Sequence, residues 1–379
     1  MKSADHGKKD RPLAVVIAGG GTGGHLFPAI SLAEAFQDKA PGVRILFVNT
    51  GNAFETKTLS REGFSFQKIP ARGLKGKGLA GRFKTLMILP RGIFRSISIL
   101  RAFRPDLVVG VGGYSSGPAG LAAKFLGIPL ALHEQNILPG IANRFLSLFA
   151  ARVYVSFDDT RLSSGKAFLP AINPARVLVT GNPIRRRMRK GIGHGKKNGG
   201  AFRVLILGGS QGARAINEAV MDALGLFKED ESVFLTHQTG EKDAAEVAAA
   251  YRRSQTPGRV RAFFHDMDRR YAEADLILCR AGAGTVSEIA AMGKAAVFVP
   301  FPFAADNHQV LNAMSMKEKG AAEIIFQDDL TGPRIYEMIK SYQSDRRPLL
   351  EMAKKAGETG RPEAADRIVE DCLRLTGRL

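Results

Sequence analysis

Residues 18–28 read "AGGGTGGHLFP". The apolar run Leu13–Ala18 precedes them and a helical pattern from Ala29 to Phe36 follows, so the stretch is a turn between a buried strand and a helix. Such a glycine-rich turn offers backbone N–H groups and the positive end of a helix dipole to an anion. Gly19, Gly21 and Gly24 also satisfy G-x-G-x-x-G, the spacing of a dinucleotide-binding turn. Two features oppose a nicotinamide cofactor. The second strand, "VRILFVNTGN", ends in Asn49 and Thr50 rather than an acid for the ribose, and the turn itself ends in His25. A P-loop is excluded because no Gly-Lys-Ser/Thr follows.

The same plan returns later in the chain. "FRVLILGGSQGARAINEAVMDALGLF" is again a strand, a glycine-rich turn and an amphipathic helix. It follows "RRRMRKGIGHGKKNGG", a basic, glycine-rich stretch without hydrophobic periodicity that reads as a linker or exposed loop. Short continuous apolar runs alternate with helical patterns: "LAVVIA", "VRILFVN", "PDLVVGV" and "IPLALHE", then "FRVLILGG", "SVFLTHQ", "VRAFFH", "ADLILC" and "AAVFVPF". Runs of this kind suit buried parallel strands with helices on both faces. The expected fold is α/β, with two Rossmann-like doubly wound domains and a cleft between them. Residues 11–185 form the first domain, joined by a C-terminal helix over 362–379, and 186–361 form the second. Ligands belong at the carboxyl ends of the strands, where the glycine turns sit.

The chain has 379 residues, enough for two domains. With 55 Lys and Arg against 36 Asp and Glu it carries a net charge of +19, which favours anionic partners. Two cysteines, Cys279 and Cys372, fit neither a zinc site nor a disulfide framework and suit a reducing compartment. The start "MKSADHGKKDRP" lacks the apolar segment of a secretory signal, and no uncharged apolar stretch is long enough to span a bilayer. Membrane contact is expected to be peripheral.

Three further glycine loops occupy equivalent places: "GVGGYSSGP" at 110–118, "GGSQGAR" at 208–214 and "RAGAGTVSE" at 280–288. Together with "GGGTGGHLFPA", "LHEQN", "GNPIR" and "CRAGAGTVSEIAAMG", in this order, they make the chain resemble the MurG-type family. These are the UDP-N-acetylglucosamine–N-acetylmuramyl-(pentapeptide) pyrophosphoryl-undecaprenol N-acetylglucosamine transferases of bacterial peptidoglycan synthesis. The likeness covers about Leu13 to Gly320. It implies a GT-B fold and an inverting transfer of GlcNAc from UDP-GlcNAc to the C4 hydroxyl of lipid-linked MurNAc, turning lipid I into lipid II at the cytoplasmic face of the cell membrane.

An inverting transfer needs a base for the attacking hydroxyl and stabilisation for the departing diphosphate. Imidazole is the usual base at neutral pH. The resemblance makes His25 a candidate base, with Glu134 of "HEQN" as partner or rival; a bland alternative for Glu134 is a carboxylate that orients its loop. Thr22, Gly23 and Gly24 are expected to donate to the sugar or the diphosphate, and Asn136 to contact the sugar. Arg185 of "GNPIR" could grip the diphosphate bidentately, and Ser210 could bond phosphate or uracil, with Asn182 and Gln211 as secondary candidates. Glu288 is expected to accept from the uridine ribose hydroxyls, within a turn of Ala283, Gly284, Thr285, Val286 and Ser287. Its rival reading is a capping box, Thr285-x-x-Glu288. Phe264 matches a position beside the uracil, acting through its backbone. Gln309 of "FAADNHQVLNA" matches a contact to the donor sugar, while His308 stands where some members carry a first glutamine.

Asp266-Met267-Asp268 spells D-x-D, but it follows a strand and starts a helix, which reads as capping rather than metal binding. His133, His237 and His265 lack metal-ligand spacing, so neither a metal nor a cofactor is expected. Between Arg72 and Arg104 there is no acid, and nine cations interleave with apolar residues. Over 74–89 that pattern suits an anionic membrane surface, whereas 91–104 reads as the core face of a helix. Nucleic acid is not expected, since no reader motif is present and Trp is absent. Competing readings are another UDP-GlcNAc-using GT-B enzyme, an epimerase or glycolipid synthase, and a nucleotide-regulated membrane binding protein without chemistry.

Overall fold

The computed structural model describes residues 11–71, 79–163, 170–191, 200–209, 212–228 and 230–379. The chain divides into two compact units, Met1–Arg185 with Glu363–Leu379, and Arg186–Pro362.

The first unit is built on β1 (Ala14–Ala18), β2 (Arg44–Asn49), β3 (Phe66–Lys68), β4 (Leu107–Gly110), β5 (Leu130–Glu134), β6 (Arg152–Val155) and β7 (Val177–Val179). They lie in the order β3-β2-β1-β4-β5-β6-β7, every pair parallel. All residues of β1, β4 and β5 are buried, which is why these runs are apolar without alternation. Its helices are α1 (Gly23–Lys39), α2 (Ala53–Arg61), α3 (Leu79–Phe103), α4 (Ser116–Phe125) and α5 (Ile141–Leu146). The strand order reverses between β1 and β4, the switch point at which doubly wound sheets bind ligands.

The second unit repeats the plan with β8 (Phe202–Leu207), β9 (Val233–Gln238), β10 (Gly258–Arg261), β11 (Leu276–Cys279), β12 (Ala295–Phe298) and β13 (Glu323–Ile324), in the order β10-β9-β8-β11-β12-β13. Its helices are α6 (Arg186–Gly191), α7 (Arg214–Ala223), α8 (Ala244–Ser254), α9 (Met267–Glu273), α10 (Ala283–Ala291), α11 (His308–Glu318), α12 (Gly332–Ser344) and α13 (Arg347–Thr359). The last helix, α14 (Ala364–Leu375), belongs to the first unit. Its apolar face, Ile368, Val369, Cys372 and Leu373, joins the core beneath α1 with Leu26, Leu32 and Phe36. Lys39 pairs with Glu370 at 2.7 Å, and the Tyr154 hydroxyl donates to Asp371 at 2.9 Å.

Three expectations are corrected. The run "VRAFFH" is strand only through Arg261, and 262–264 already turn toward α9. Residues 79–103 form one helix that runs through Pro90, joining residues that read as two segments, 74–89 and 91–104. The strands β3, β6, β7 and β13 are absent from the apolar-run reading, being two to four residues long and, at the sheet edges, partly exposed.

Candidate functional site

At the switch point of the first unit two glycine turns interlock. Gly19, Gly20 and Gly21 have φ of 145°, 139° and 95°, which side chains rarely adopt. A Cβ on Gly19 would lie 2.5 Å from the Gly112 carbonyl, and one on Gly113 2.4 Å from the Gly20 carbonyl, so only glycine permits the approach. The Ser116 hydroxyl lies 2.7 Å and 2.9 Å from the carbonyl oxygens of Ala18 and Gly112, tying both turns to the end of β1.

A carboxylate that the sequence reading missed secures the first turn. Glu55, fully buried, accepts from the Gly21 amide at 2.6 Å, the Thr50 hydroxyl at 2.8 Å and the Asn52 amide at 3.1 Å. Asn52 returns the bond as the N-cap of α2, forming a full capping box. The signal was present as Asn52-x-x-Glu55.

His25 is the third residue of α1 and half-buried, with Nδ1 3.3 Å from the Thr22 hydroxyl. Thr22 is the N-cap, exposed and without a side-chain cap bond, and Gly23 and Gly24 open the helix. Their N–H groups belong to the first turn, where no intrahelical acceptor exists. The imidazole lies against Gly112, at which a Cβ would meet Cδ2 at 2.7 Å and Nε2 at 2.9 Å.

Glu134 ends β5 and is buried. Oε1 accepts from the Asn136 amide at 3.0 Å and from Asn136 Nδ2 at 3.4 Å; Oε2 accepts from the Gly140 amide at 3.0 Å and from Asn143 Nδ2 at 2.9 Å. A carboxylate has about four lone-pair sites, and all are taken. Burial pushes this carboxyl up, and the four donors pull it back. The side chain thus closes the loop 134–143, and Asn136 is one of its donors. Next to it, His133 is buried and its pKa falls to about 3 through loss of solvation. Arg185, half-buried, lies with its guanidinium 5.3 Å from the centre of the Phe27 ring. Asn182 is buried.

In the second unit the turn after β8 is shaped by Gly209 and Gly212, with φ of 80° and 78°. Ser210 and Gln211 lie outside the described residues. Helix α10 starts at Ala283 with Gly282 as N-cap. Thr285 and Glu288 are therefore inside the helix, and the capping-box reading is overturned. Glu288 accepts instead from the Tyr271 hydroxyl at 3.2 Å and remains half-buried. Ala283, Gly284 and Thr285 contribute first-turn N–H groups, Val286 is buried and Ser287 half-buried. The Phe264 ring is buried and its amide donates to Gln238 Oε1 at 2.9 Å, which leaves its carbonyl as the backbone group to offer. Gln309 accepts from the Phe301 amide at 3.0 Å, leaving its own NH₂ as a donor. Ahead of it, Asp306 and Asn307 hold φ of 53° and 54°, and His308 begins α11.

Asp266 stands at the N-cap of α9 but makes no side-chain cap bond there; it pairs with Arg270 instead. Among the described residues no three His, Cys, Asp or Glu side chains gather as a metal site, and no helix is long and apolar enough to cross a membrane. Of the strip at 74–89, residues 74–78 lie outside the described set, and of 79–87 only the helical backbone is described. Within 88–103, Leu89 is exposed and Phe94 is 73% exposed, whereas Ile99 and Leu100 are buried.

The glycosyltransferase family 28 N-terminal domain matches residues 15–155 and the family's C-terminal domain residues 203–368. A protein of Syntrophus aciditrophicus (strain SB), named UDP-N-acetylglucosamine--N-acetylmuramyl-(pentapeptide) pyrophosphoryl-undecaprenol N-acetylglucosamine transferase, is 42% identical over 95% of this chain and 98% of its own length. A protein of the same name from Myxococcus xanthus (strain DK1622) is 40% identical over 96% of this chain and 93% of its own. The crystal structure of Acinetobacter baumannii MurG superposes with a TM-score of 0.75 at 32% identity, covering 96% of this chain and 100% of that one. A Neisseria meningitidis UDP-GlcNAc 2-epimerase, at 16% identity and TM-score 0.61, shares the fold alone. Two Rossmann-like parallel-sheet units, the GT-B architecture, and near-complete likeness at this level make the chain a member of glycosyltransferase family 28, of the MurG type.

Proposed function

We propose that this chain transfers GlcNAc from UDP-GlcNAc to the C4 hydroxyl of MurNAc in undecaprenyl-pyrophosphoryl-MurNAc-pentapeptide, converting lipid I into lipid II. The observation that carries the reading is full-length identity of about two residues in five to relatives named for that reaction. The acceptor oxygen attacks C1 with inversion, the bond from C1 to the diphosphate breaks, and UDP leaves. His25 takes the hydroxyl proton. Glu134 has no open lone pair and serves to hold the loop that presents Asn136. Thr22 and the amides of Gly23 and Gly24 donate to acceptor oxygens, and Arg185 offsets charge on the departing diphosphate.

The second unit grips the donor. Glu288 accepts from the ribose hydroxyls, the first-turn amides of α10 face the phosphates, the Phe264 backbone and Ser210 meet the nucleotide, and the Gln309 NH₂ donates to the sugar. The first unit is the acceptor and membrane side. Exposed Phe94 and Leu89, with exposed Arg91 and Arg95 on the same helix, suit an anionic membrane surface at the cytoplasmic face and no nucleic acid.

Incubation with UDP-GlcNAc alone and then with lipid I in vesicles tests the reading against an epimerase. UDP is expected only after lipid I is added. Appearance of the 2-epimer of UDP-GlcNAc without lipid would overturn it. Binding to anionic vesicles that weakens with salt, with none to zwitterionic ones, is expected for the membrane contact.

A further inference from the structure

In the second unit one peptide group is held at both ends. Gln309 Oε1 accepts from the Phe301 amide at 3.0 Å. A backbone N–H can only donate, so the Gln309 amide is oriented with its oxygen toward Phe301 and its NH₂ away from it. The Phe301 N–H belongs to the peptide unit that starts at the Pro300 carbonyl, and that oxygen is gripped as well. Arg280 Nη1 donates to the Pro300 carbonyl at 3.3 Å and to the Val299 carbonyl at 3.1 Å. The peptide unit is planar, with its N–H and C=O on opposite edges, so Arg280 and Gln309 hold it from opposite sides. A cation on the carbonyl also polarises the unit and strengthens its N–H as a donor toward Gln309.

Arg280 is itself fixed. It directly follows β11 and is half-buried. Its Nη2 donates to Gln327 Oε1 at 2.7 Å, and its guanidinium lies 5.4 Å from the centre of the Phe301 ring, within cation–π range. The same arginine thus holds residue 301 by its ring and the preceding peptide by its oxygen. Helix α11, which carries Gln309, is tied to the same strand end. Three residues on, buried Asn312 donates from Nδ2 to the Ala281 carbonyl at 3.2 Å. The head group of Arg280 is therefore engaged with two carbonyls, a side-chain amide and a ring, all belonging to the chain.

We propose that Arg280 is a positioning residue for the donor sugar: by holding the 300–301 peptide it keeps Gln309 in the orientation that offers NH₂ to the sugar. This rests on the reading of Gln309 as the sugar contact. Without the guanidinium the peptide plane is free to turn, the Phe301 N–H leaves Oε1, and the Gln309 amide loses its fixed orientation. The contacts assigned to the ribose and phosphates, Glu288 and the first-turn amides of α10, do not pass through this peptide. The loss therefore falls on the sugar rather than on UDP.

The test compares Arg280→Met, Gln309→Ala and the double variant, by KM for UDP-GlcNAc and by calorimetric affinity for UDP. In each single variant KM is expected to rise about fivefold or more, with UDP affinity within about twofold of wild type. In the double variant KM is expected within about twofold of the worse single, because both changes remove one contact. Loss of UDP affinity in Arg280→Met to the same extent as the rise in KM would mean that the arginine meets the nucleotide itself, and overturns the proposal. So does an unchanged KM in a folded Arg280→Met, or a double variant in which the two losses multiply. Should Arg280→Met not fold, Arg280→Lys, which keeps the cation and loses the planar fork, is read in its place against the same outcomes. An unchanged KM in Gln309→Ala fails the reading of Gln309 as the sugar contact, and the proposal with it. A raised KM there with none in the arginine variant fails the proposal alone.

Discussion

The Gly21 amide donates to Oε1 of Glu55 at 2.6 Å, so the first glycine turn already holds an anion that the chain itself supplies. In a dinucleotide fold that amide would face a pyrophosphate. Here a buried carboxylate occupies the turn and fixes its shape, and the donors left for a ligand are those of Gly23 and Gly24 at the start of α1. Replacing Glu55 by Gln sets an NH₂ group against N–H donors. Glu55→Gln is expected to destabilise the protein by about 1–3 kcal/mol. Urea unfolding checks this, and an unchanged midpoint would count against the carboxylate as the clamp.

Loss of the base should separate chemistry from nucleotide binding. His25→Ala is expected to lower kcat by roughly 10²–10⁴-fold. UDP affinity, measured by calorimetry, should stay within about twofold, because the nucleotide contacts assigned above, Arg185 apart, lie in the second unit.

Glu134→Gln gives a different signature from His25→Ala. The carboxylate closes the loop 134–143 through four donors, and an amide satisfies only half of them. The variant is expected to lose activity together with about 1–3 kcal/mol of stability. A Glu134→Gln protein that is inactive yet unfolds at the wild-type denaturant concentration would restore Glu134 as a candidate base.

If Glu288 accepts from ribose, it discriminates against a missing hydroxyl. The wild-type enzyme is expected to bind UDP more tightly than 2′-deoxy-UDP by about tenfold, the worth of a hydrogen bond to a charged group. Glu288→Gln should bring the two affinities close together. Equal affinities in the wild type would rule out a bond to the 2′-hydroxyl.

Two buried histidines tie stability to pH. His133 and His237 fall from 6.5 to about 3 through burial, so between those values the unfolded chain binds protons that the folded one does not. Stability is therefore full above about pH 6.5 and falls on acidification, by about 1.4 kcal/mol per pH unit for each histidine. His237 is held by Asn217 at 3.0 Å and Tyr251 at 3.4 Å, remote in sequence from the assigned contacts. Urea midpoints between pH 7 and 5 should fall less steeply in His237→Gln than in the wild type.

The architecture was legible because the central strands are buried on both sides and so read as apolar runs, with β1 and β8 leading directly into glycine and β4 ending in one. The edge strands β3, β7 and β13 bury little and left no such run. Individual site residues were assigned from motif likeness, which says nothing of the partners each side chain meets. Thr285-x-x-Glu288 has the spacing of a capping box, yet the N-cap is Gly282, three residues before Thr285. Spacing alone does not tell which turn is the first. The true box, Asn52 with Glu55, looked no different in sequence, and its bond to Gly21 spans 34 positions.

Transfer of label from UDP-GlcNAc to lipid I bears most directly on the assigned activity. Incubating the protein with labelled UDP-GlcNAc and lipid I should yield labelled disaccharide lipid, one UDP released per sugar transferred, and almost none with His25→Ala. Label that stays in the nucleotide sugar while lipid I is recovered unchanged, from protein that binds UDP, would contradict it.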